Sequence, residues 1–239
     1  ALMPDRASSM AGHAVIVACD HPLFRAALRG AVEQALPDAQ VTEADSAQAV
    51  QAAVRMVPDA DLCTLDLRMP GAYGFSTLAF LRGNHPSLPV VIVSAVTDPS
   101  VIRRAETLGA VGYIPKSAPP QVIAQSIQRV LAGDTAFPDT GANPTLSPAE
   151  TADQALAERI ASLTPQQFRV LTLLADGLLN KQIAYEMNVT EATIKAHVTA
   201  ILRKLKVSNR TAAVIAARKL DVDDTEAGLD GAQPQMTAP

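Results

Sequence analysis

The sequence predicts an α/β doubly wound domain built on a five-stranded parallel sheet, followed by an all-α four-helix domain that carries a helix-turn-helix. Three observations predict it. Five short apolar runs alternate with helical patterns between Ala14 and Gly133. Strands apolar on both faces belong in a parallel sheet covered on both sides. From Leu163 onward the strand runs cease and four helical patterns follow one another. Charge divides the chain in the same way: residues 161–222 hold nine Lys or Arg against four Asp or Glu, a net +5, whereas residues 12–133 hold nine against ten.

The first run, AVIVAC from Ala14 to Cys19, has strand length. Pro22 then opens a helix, since proline suits a first helical position that needs no N–H. Leu23, Phe24, Ala27, Leu28, Ala31 and Val32 mark its inner side, and Pro37 stops it. A short strand near Val41 to Ala44 follows, then a helix capped by Ser46 that reaches Val57 before Pro58. Leu62 to Leu65 is the third strand, with Asp66 at its end; the turn RMPG leads to a helix around Phe75 to Arg82. The fourth strand lies in Leu88 to Ala95, LPVVIVSA. Asp98 caps and Pro99 starts the next helix, which closes at Gly109. Val111 to Ile114 is the fifth strand, and Pro120 starts the helix that runs to Leu131.

In such a domain ligands bind outside the carboxyl ends of the strands. Asp20, Asp66, Ser94 and Lys116 all fall there. Two carboxylates suit Mg²⁺, which wants hard oxygen ligands, and a lysine beside a hydroxyl suits a phosphoryl group. The chemistry implied is attack of the Asp66 carboxylate on phosphorus, with Mg²⁺ and Lys116 neutralising the transferred oxygens.

The second domain opens with Thr164, Pro165 and Gln167, a capping box with proline at the first helical position. Val170, Leu171 and Leu174 form that helix's apolar face, and Gly177 ends it. Lys181 to Met187 is a short helix; Asn188, tolerant of positive φ, turns the chain into a helix from Thr190 to Leu205. Ile194, Val198, Ile201, Leu202 and Leu205 make its buried stripe. Its other face, Ala192, Lys195, Ala196, Thr199 and Arg203, is small and basic with no acid among them, suited to the DNA major groove. Lys181, Thr190 and Thr193 join these as expected DNA contacts. A fourth helix, Asn209 to Leu220, carries small residues, Ala213 and Ala217 among them.

The run LTPQQFRVLTLLADGLLNKQIAYEMNVTEATIKAHVTAILRKLKVSNRTAAV resembles the LuxR-type DNA-binding domain from Leu163 to about Leu220. Asn188 and Lys206 stand where that family usually has glycine. VIVACDHPLFR, LDLRMPG, VIVSA and GYIPKSA make residues His13 to Gly133 similar to the flavodoxin-like receiver domain of bacterial response regulators. The order of the two is that of the NarL/FixJ family. The resemblance implies a homodimeric transcription regulator of double-stranded DNA, controlled by a cognate histidine kinase, with Ala213 and Ala217 of the last helix at the dimer contact. It implies Asp66 as phosphoacceptor and Mg²⁺ held by Asp20, Asp66 and the main-chain carbonyl of Arg68. Ser94 and Lys116 stabilise the phosphoryl group, and Tyr113 is the switch aromatic. The family has two adjacent acids after strand one, whereas here the pair is Cys19-Asp20. A neutral thiol is a poor partner for hydrated Mg²⁺, so weakened metal binding is expected.

Composition bounds the rest. No run approaches the ~20 apolar residues of a membrane span, and two cysteines without a CxxC make neither a disulfide scaffold nor a zinc site, so the cytoplasm is expected. The domains expected are 12–133 and 161–222, with a flexible linker 134–160 that has some helical potential from Ala149 to Ile160, and a disordered acidic tail 223–239. Two rival functions remain. One is a DNA-binding regulator triggered without phosphorylation, by ligand, redox change or partner, for which Cys19 speaks. The other is a flavodoxin-like enzyme, against which stands the lack of a glycine-rich loop after strand one, where ACDHP is found. The expectation is that the chain is no enzyme.

Overall fold

A computed structural model describes residues 12–139 and 148–222. The N-terminal unit comprises β1 (Ala14–Ala18), α1 (Pro22–Ala35), β2 (Gln40–Ala44), α2 (Ala47–Met56), β3 (Leu62–Asp66), β4 (Arg68–Met69), β5 (Ala72–Tyr73) and α3 (Ser76–Asn84). It continues with β6 (Val90–Ser94), α4 (Pro99–Thr107), β7 (Gly112–Pro115) and α5 (Pro120–Leu131). The main sheet is parallel, in the order β2-β1-β3-β6-β7. Its order reverses beside β1, which puts the ends of β1 and β3 at a topological switch point. β3 and β6 are buried along their whole length, as strands covered on both faces must be. The expected caps hold: Ser46 accepts from the Ala49 N–H and Asp98 from the Ser100 N–H. The RMPG stretch is more than a turn. It is the loop of a small antiparallel hairpin, β4–β5, with Gly71 at φ 70°.

The C-terminal helices are α6 (Pro148–Ala161), α7 (Pro165–Ala175), α8 (Asn180–Glu186), α9 (Glu191–Leu205) and α10 (Arg210–Lys219). The Thr164–Gln167 capping box forms in both directions, at 3.1 and 3.3 Å. Asn188 (φ 53°) makes the turn between α8 and α9, and Lys206 (φ 57°) ends α9 in the left-handed region. Asparagine accepts that conformation; lysine does so at a cost. Lys206→Gly is expected to stabilise this domain by about 0.5–1 kcal/mol, the left-handed penalty less the added freedom of glycine in the unfolded chain. Denaturant unfolding of the two proteins checks it.

The helical potential of the linker is realised over Pro148–Ala161, and what is corrected there is the expectation of a mobile tether. That stretch is α6, a helix lying on α3, because Leu156, Ala157 and Ile160 bury an apolar edge there. Residues 140–147 and the tail 223–239 lie outside the described residues.

The two units are docked. Phe80 of α3 stacks on Phe168 of α7 with ring centroids 4.4 Å apart, a pairing worth roughly 0.5–1.5 kcal/mol beyond the area it buries. Asn84 donates to the carbonyls of Ala161 and Leu163. The Phe75 N–H donates to the Leu220 carbonyl at 2.8 Å, and Tyr73 donates its hydroxyl to Asp176. Arg103 and Arg104 of α4 pair with Glu150 and Asp153 of α6 at 2.7 and 2.9 Å. Acids of α6 thus meet arginines of the first unit directly across the interface.

Candidate functional site

The carboxyl ends of β1, β3, β6 and β7 bring the expected rim residues together. Asp66 is 1% exposed at the end of β3. Its Oδ2 accepts from Lys116 Nζ at 2.5 Å and from the Cys19 thiol at 3.2 Å, and its Oδ1 accepts from the Arg68 N–H at 3.0 Å. Asp20 follows β1 and is partly exposed, with His21 Nδ1 2.6 Å from its Oδ1. Ser94 is buried at the end of β6, where its hydroxyl accepts from the Val96 N–H at 3.2 Å. Tyr113 on β7 points inward, donating to the Val96 carbonyl at 2.7 Å. Ser94 and Tyr113 therefore hold the same β6–α4 loop from two sides. Burial, reinforced by the hydrogen bond to Asp66, pushes the Cys19 thiol up to about 11, so it is a neutral donor at neutral pH. Cys63, also buried, packs in the separate core on the opposite face of the sheet, so the two thiols have no common pocket.

On α9, Lys195, Ala196, Thr199 and Arg203 are exposed together, and Thr190 and Lys181 are exposed beside them. Thr193 is half-buried, with its N–H and hydroxyl both turned to the capping Thr190. The face is less purely basic than expected, for Glu191 lies 3.1 Å from Lys195 one turn away. His197, Met187 and Val189 line a cleft of about 690 Å³ whose far wall is Gln48, Gln51 and Arg55 on α2. The expected dimer contacts on α10 are corrected. Ala213 and Ala217 are buried against α7 and α9, because their small side chains let α10 seat closely in its own domain. The apolar side chain that α10 leaves outside is Ile215, 62% exposed.

Sequence reasoning missed the role of the hairpin after Asp66. Within ten residues of that carboxylate, Arg68 reaches the Val222 carbonyl, Tyr73 reaches Asp176 and Phe75 reaches Leu220. Arg218 lies over the Tyr73 ring at 5.6 Å. Burial and the bond to Asp176 push the Tyr73 hydroxyl well above its usual range, so it stays protonated and donating. A cleft of about 460 Å³ is bordered by Asp20, His21 and this hairpin on one side and by Asp176 and Asp221 on the other. The signal available was Tyr73 itself, an aromatic in a loop between strand and helix.

Residues 15–128 match the family described as response regulator receiver domain, and residues 161–217 match bacterial regulatory proteins, luxR family. The chain is 38% identical over 211 residues to the glycerol metabolism activator of Pseudomonas putida, covering 87% of this chain and 96% of the relative. It is 32% identical over 203 residues to the nitrate/nitrite response regulator protein NarL of Escherichia coli K12, covering 84% and 93%. A structure of two RcsB dimers bound to two parallel DNAs has the same fold at a TM-score of 0.50 and 24% identity, covering 87% of this chain and 99% of that one. A Salmonella typhimurium RcsB structure matches at 0.50 and 23%, covering 86% and 97%.

Receiver domains generally bind Mg²⁺ at the phosphorylation site. The donor set here fits that ion in part. Asp20 and Asp66 offer hard oxygens, but the neighbouring donor is a neutral thiol that Mg²⁺ does not favour. Relatives of this architecture are transcription regulators, generally without enzymatic activity. Among the described residues no helix is long and apolar enough to cross a membrane. With a receiver fold, a LuxR-type helix-turn-helix and relatives matched along nearly their whole length, the chain belongs to the two-component response regulators that act as DNA-binding transcription factors.

Proposed function

We propose that Asp66 accepts a phosphoryl group from a cognate histidine kinase, and that this frees the α9 face to bind double-stranded DNA as a homodimer. The division that goes with this reading is a receiver over 12–133 and a DNA-binding unit over 161–222. Mg²⁺, held by Asp20, Asp66 and the Arg68 carbonyl, would supply charge neutralisation during transfer. Lys116 already meets the acceptor carboxylate and would follow the transferred oxygens, while Ser94 turns from the Val96 N–H to the phosphoryl group. Tyr113 holds the Val96 carbonyl and would yield as that loop moves. The protein would work in the cytoplasm, without turnover of its own.

The observation that carries the reading is the cleft shared by the rim and by Asp176 and Asp221. A phosphoryl group carries about 1.5–2 negative charges in place of the single carboxylate charge it consumes, a net gain of about 0.5–1. Placed beside that cleft, it sets like charge against the two acids of the C-terminal unit, and the hairpin that grips them begins two residues away. Release also matters sterically. A major groove is about 12 Å wide and a helix enters it bodily. The wall that α2 forms opposite His197 narrows the approach to that side of α9. Acetyl phosphate with Mg²⁺ is expected to add the mass of one phosphoryl group to the intact protein. If neither small donors nor kinases ever add it, regulation without phosphorylation replaces this reading.

A further inference from the structure

The rim holds more donors than a phosphorylation site needs. Sγ of Cys19, a carboxylate oxygen each from Asp20 and Asp66, and a ring nitrogen of His21 all lie within 4.8 Å of one another. Two pairs are already closer, Cys19 to Asp66 at 3.2 Å and Asp20 to His21 at 2.6 Å. A tetrahedral zinc site has donors about 3.3–3.8 Å apart, given its ligand distances of about 2.0–2.3 Å. Closing the set around an ion therefore asks for side-chain shifts of roughly an ångström. The cleft beside Asp20 and His21 is open, so an ion has a path in.

We infer that this rim is a binding site for a thiophilic divalent ion of the zinc class, with Cys19, Asp20, His21 and Asp66 as ligands, and that the ion and the phosphoryl group exclude each other. Sulfur and imidazole with two carboxylates is a borderline set, which favours Zn²⁺ over the oxygen-seeking Mg²⁺. Charge balance points the same way. When the Cys19 sulfur bonds the ion, its proton leaves to solvent, as coordinated thiols generally require. Thiolate and two carboxylates then offset the divalent ion and the Lys116 ammonium completely. With Mg²⁺ and an intact thiol, one positive charge is left over at a partly buried site. Asp66 is the shared element. Four protein donors would fill a tetrahedral zinc shell and leave no position for a phosphoryl oxygen, whereas six-coordinate Mg²⁺ on the same carboxylates keeps positions open for one. Exclusion follows from the atoms.

The metal site goes beyond the regulatory reading and is tested without any phosphoryl donor, while the exclusion rests on that reading. Full-length reduced protein is titrated with Co²⁺ as a spectroscopic stand-in and with Zn²⁺ by calorimetry. The expected results are one equivalent of Zn²⁺, a sulfur-to-cobalt charge-transfer band, and no displacement by a large excess of Mg²⁺. Cys19→Ser should remove the band and weaken Zn²⁺ by at least the roughly 10–100-fold that losing a mere outer-shell partner costs. His21→Ala alters an exposed side chain and leaves the core untouched; it should weaken Zn²⁺ by at least about tenfold. Stoichiometric Zn²⁺ should also suppress labelling by acetyl phosphate. Absence of the band, its survival in Cys19→Ser, unchanged affinity in His21→Ala, or full labelling of zinc-loaded protein would each overturn the proposal. A protein that binds zinc as described but never takes a phosphoryl group would instead count against the regulatory reading alone.

Discussion

Gly83→Leu is expected to open the docked protein and raise its DNA affinity without any phosphorylation. Gly83 is the last-but-one residue of α3 and has no positive φ, so its own backbone does not require glycine. Glycine is a poorer helix former than alanine, so something else favours it there. The holder is α6. A Cβ at position 83 would lie 2.2 Å from the Ala161 carbonyl oxygen and 2.6 Å from its Cα, both backbone atoms that cannot swing aside. Leucine therefore favours α3 as a helix and excludes the α3–α6 contact. Gly74 is equally crowded, by the Leu220 carbonyl at 2.1 Å, but its φ of 51° would add strain to any substitution, so Gly83 is the cleaner site. Coupling between sites is typically about 1–3 kcal/mol, so the unphosphorylated variant should bind DNA roughly 5–150-fold more tightly than wild type. Fluorescence anisotropy with a labelled duplex measures it. Equal affinities would mean that docking does not restrain α9.

Asp66→Asn should abolish the phosphoryl mass gain and leave DNA affinity at its unphosphorylated level. The amide keeps an acceptor for Lys116 and for the Cys19 thiol but has no anionic oxygen to attack phosphorus. Losing the charge from a buried pair costs up to about 3–5 kcal/mol when one partner is removed outright; here the retained acceptor and the partly exposed Lys116 hold the cost below that. Combining the two changes separates trigger from restraint. Gly83→Leu with Asp66→Asn should bind as tightly as Gly83→Leu alone. If Asp66→Asn weakens DNA binding even when the interface is already broken, Asp66 acts on the DNA-binding unit by some route other than docking.

The parts of this protein that local chemistry decides were legible in the chain. Pro22, Pro99, Pro120 and Pro165 mark helix starts because each supplies the fixed φ and missing N–H of a first helical position. The convergence of Asp20, Asp66, Ser94 and Lys116 was legible because strand ends of a parallel sheet share one rim. What failed depends on partners distant in sequence. α6 has a weak apolar edge whose burial rests on α3, some eighty residues away by the span of the Asn84–Leu163 bond. Ala213 and Ala217 read as a small-residue contact surface, but small residues serve equally to seat a helix in its own domain, and burial alone distinguishes the two. The four histidines have no metal-ligand spacing in the sequence, and only the turn of the chain after β1 shows the His21 ring nitrogen facing the same rim.

The central claim is that a phosphoryl group on Asp66 weakens the docked state and so strengthens DNA binding. The most direct measurement takes one preparation before and after acetyl phosphate, records its intact mass, and determines its affinity for the same duplex at one salt concentration. The fully phosphorylated sample should gain affinity by a factor approaching that of Gly83→Leu, and Gly83→Leu should gain little further from phosphorylation. A sample that carries the full phosphoryl mass and binds DNA no more tightly than before would contradict the claim.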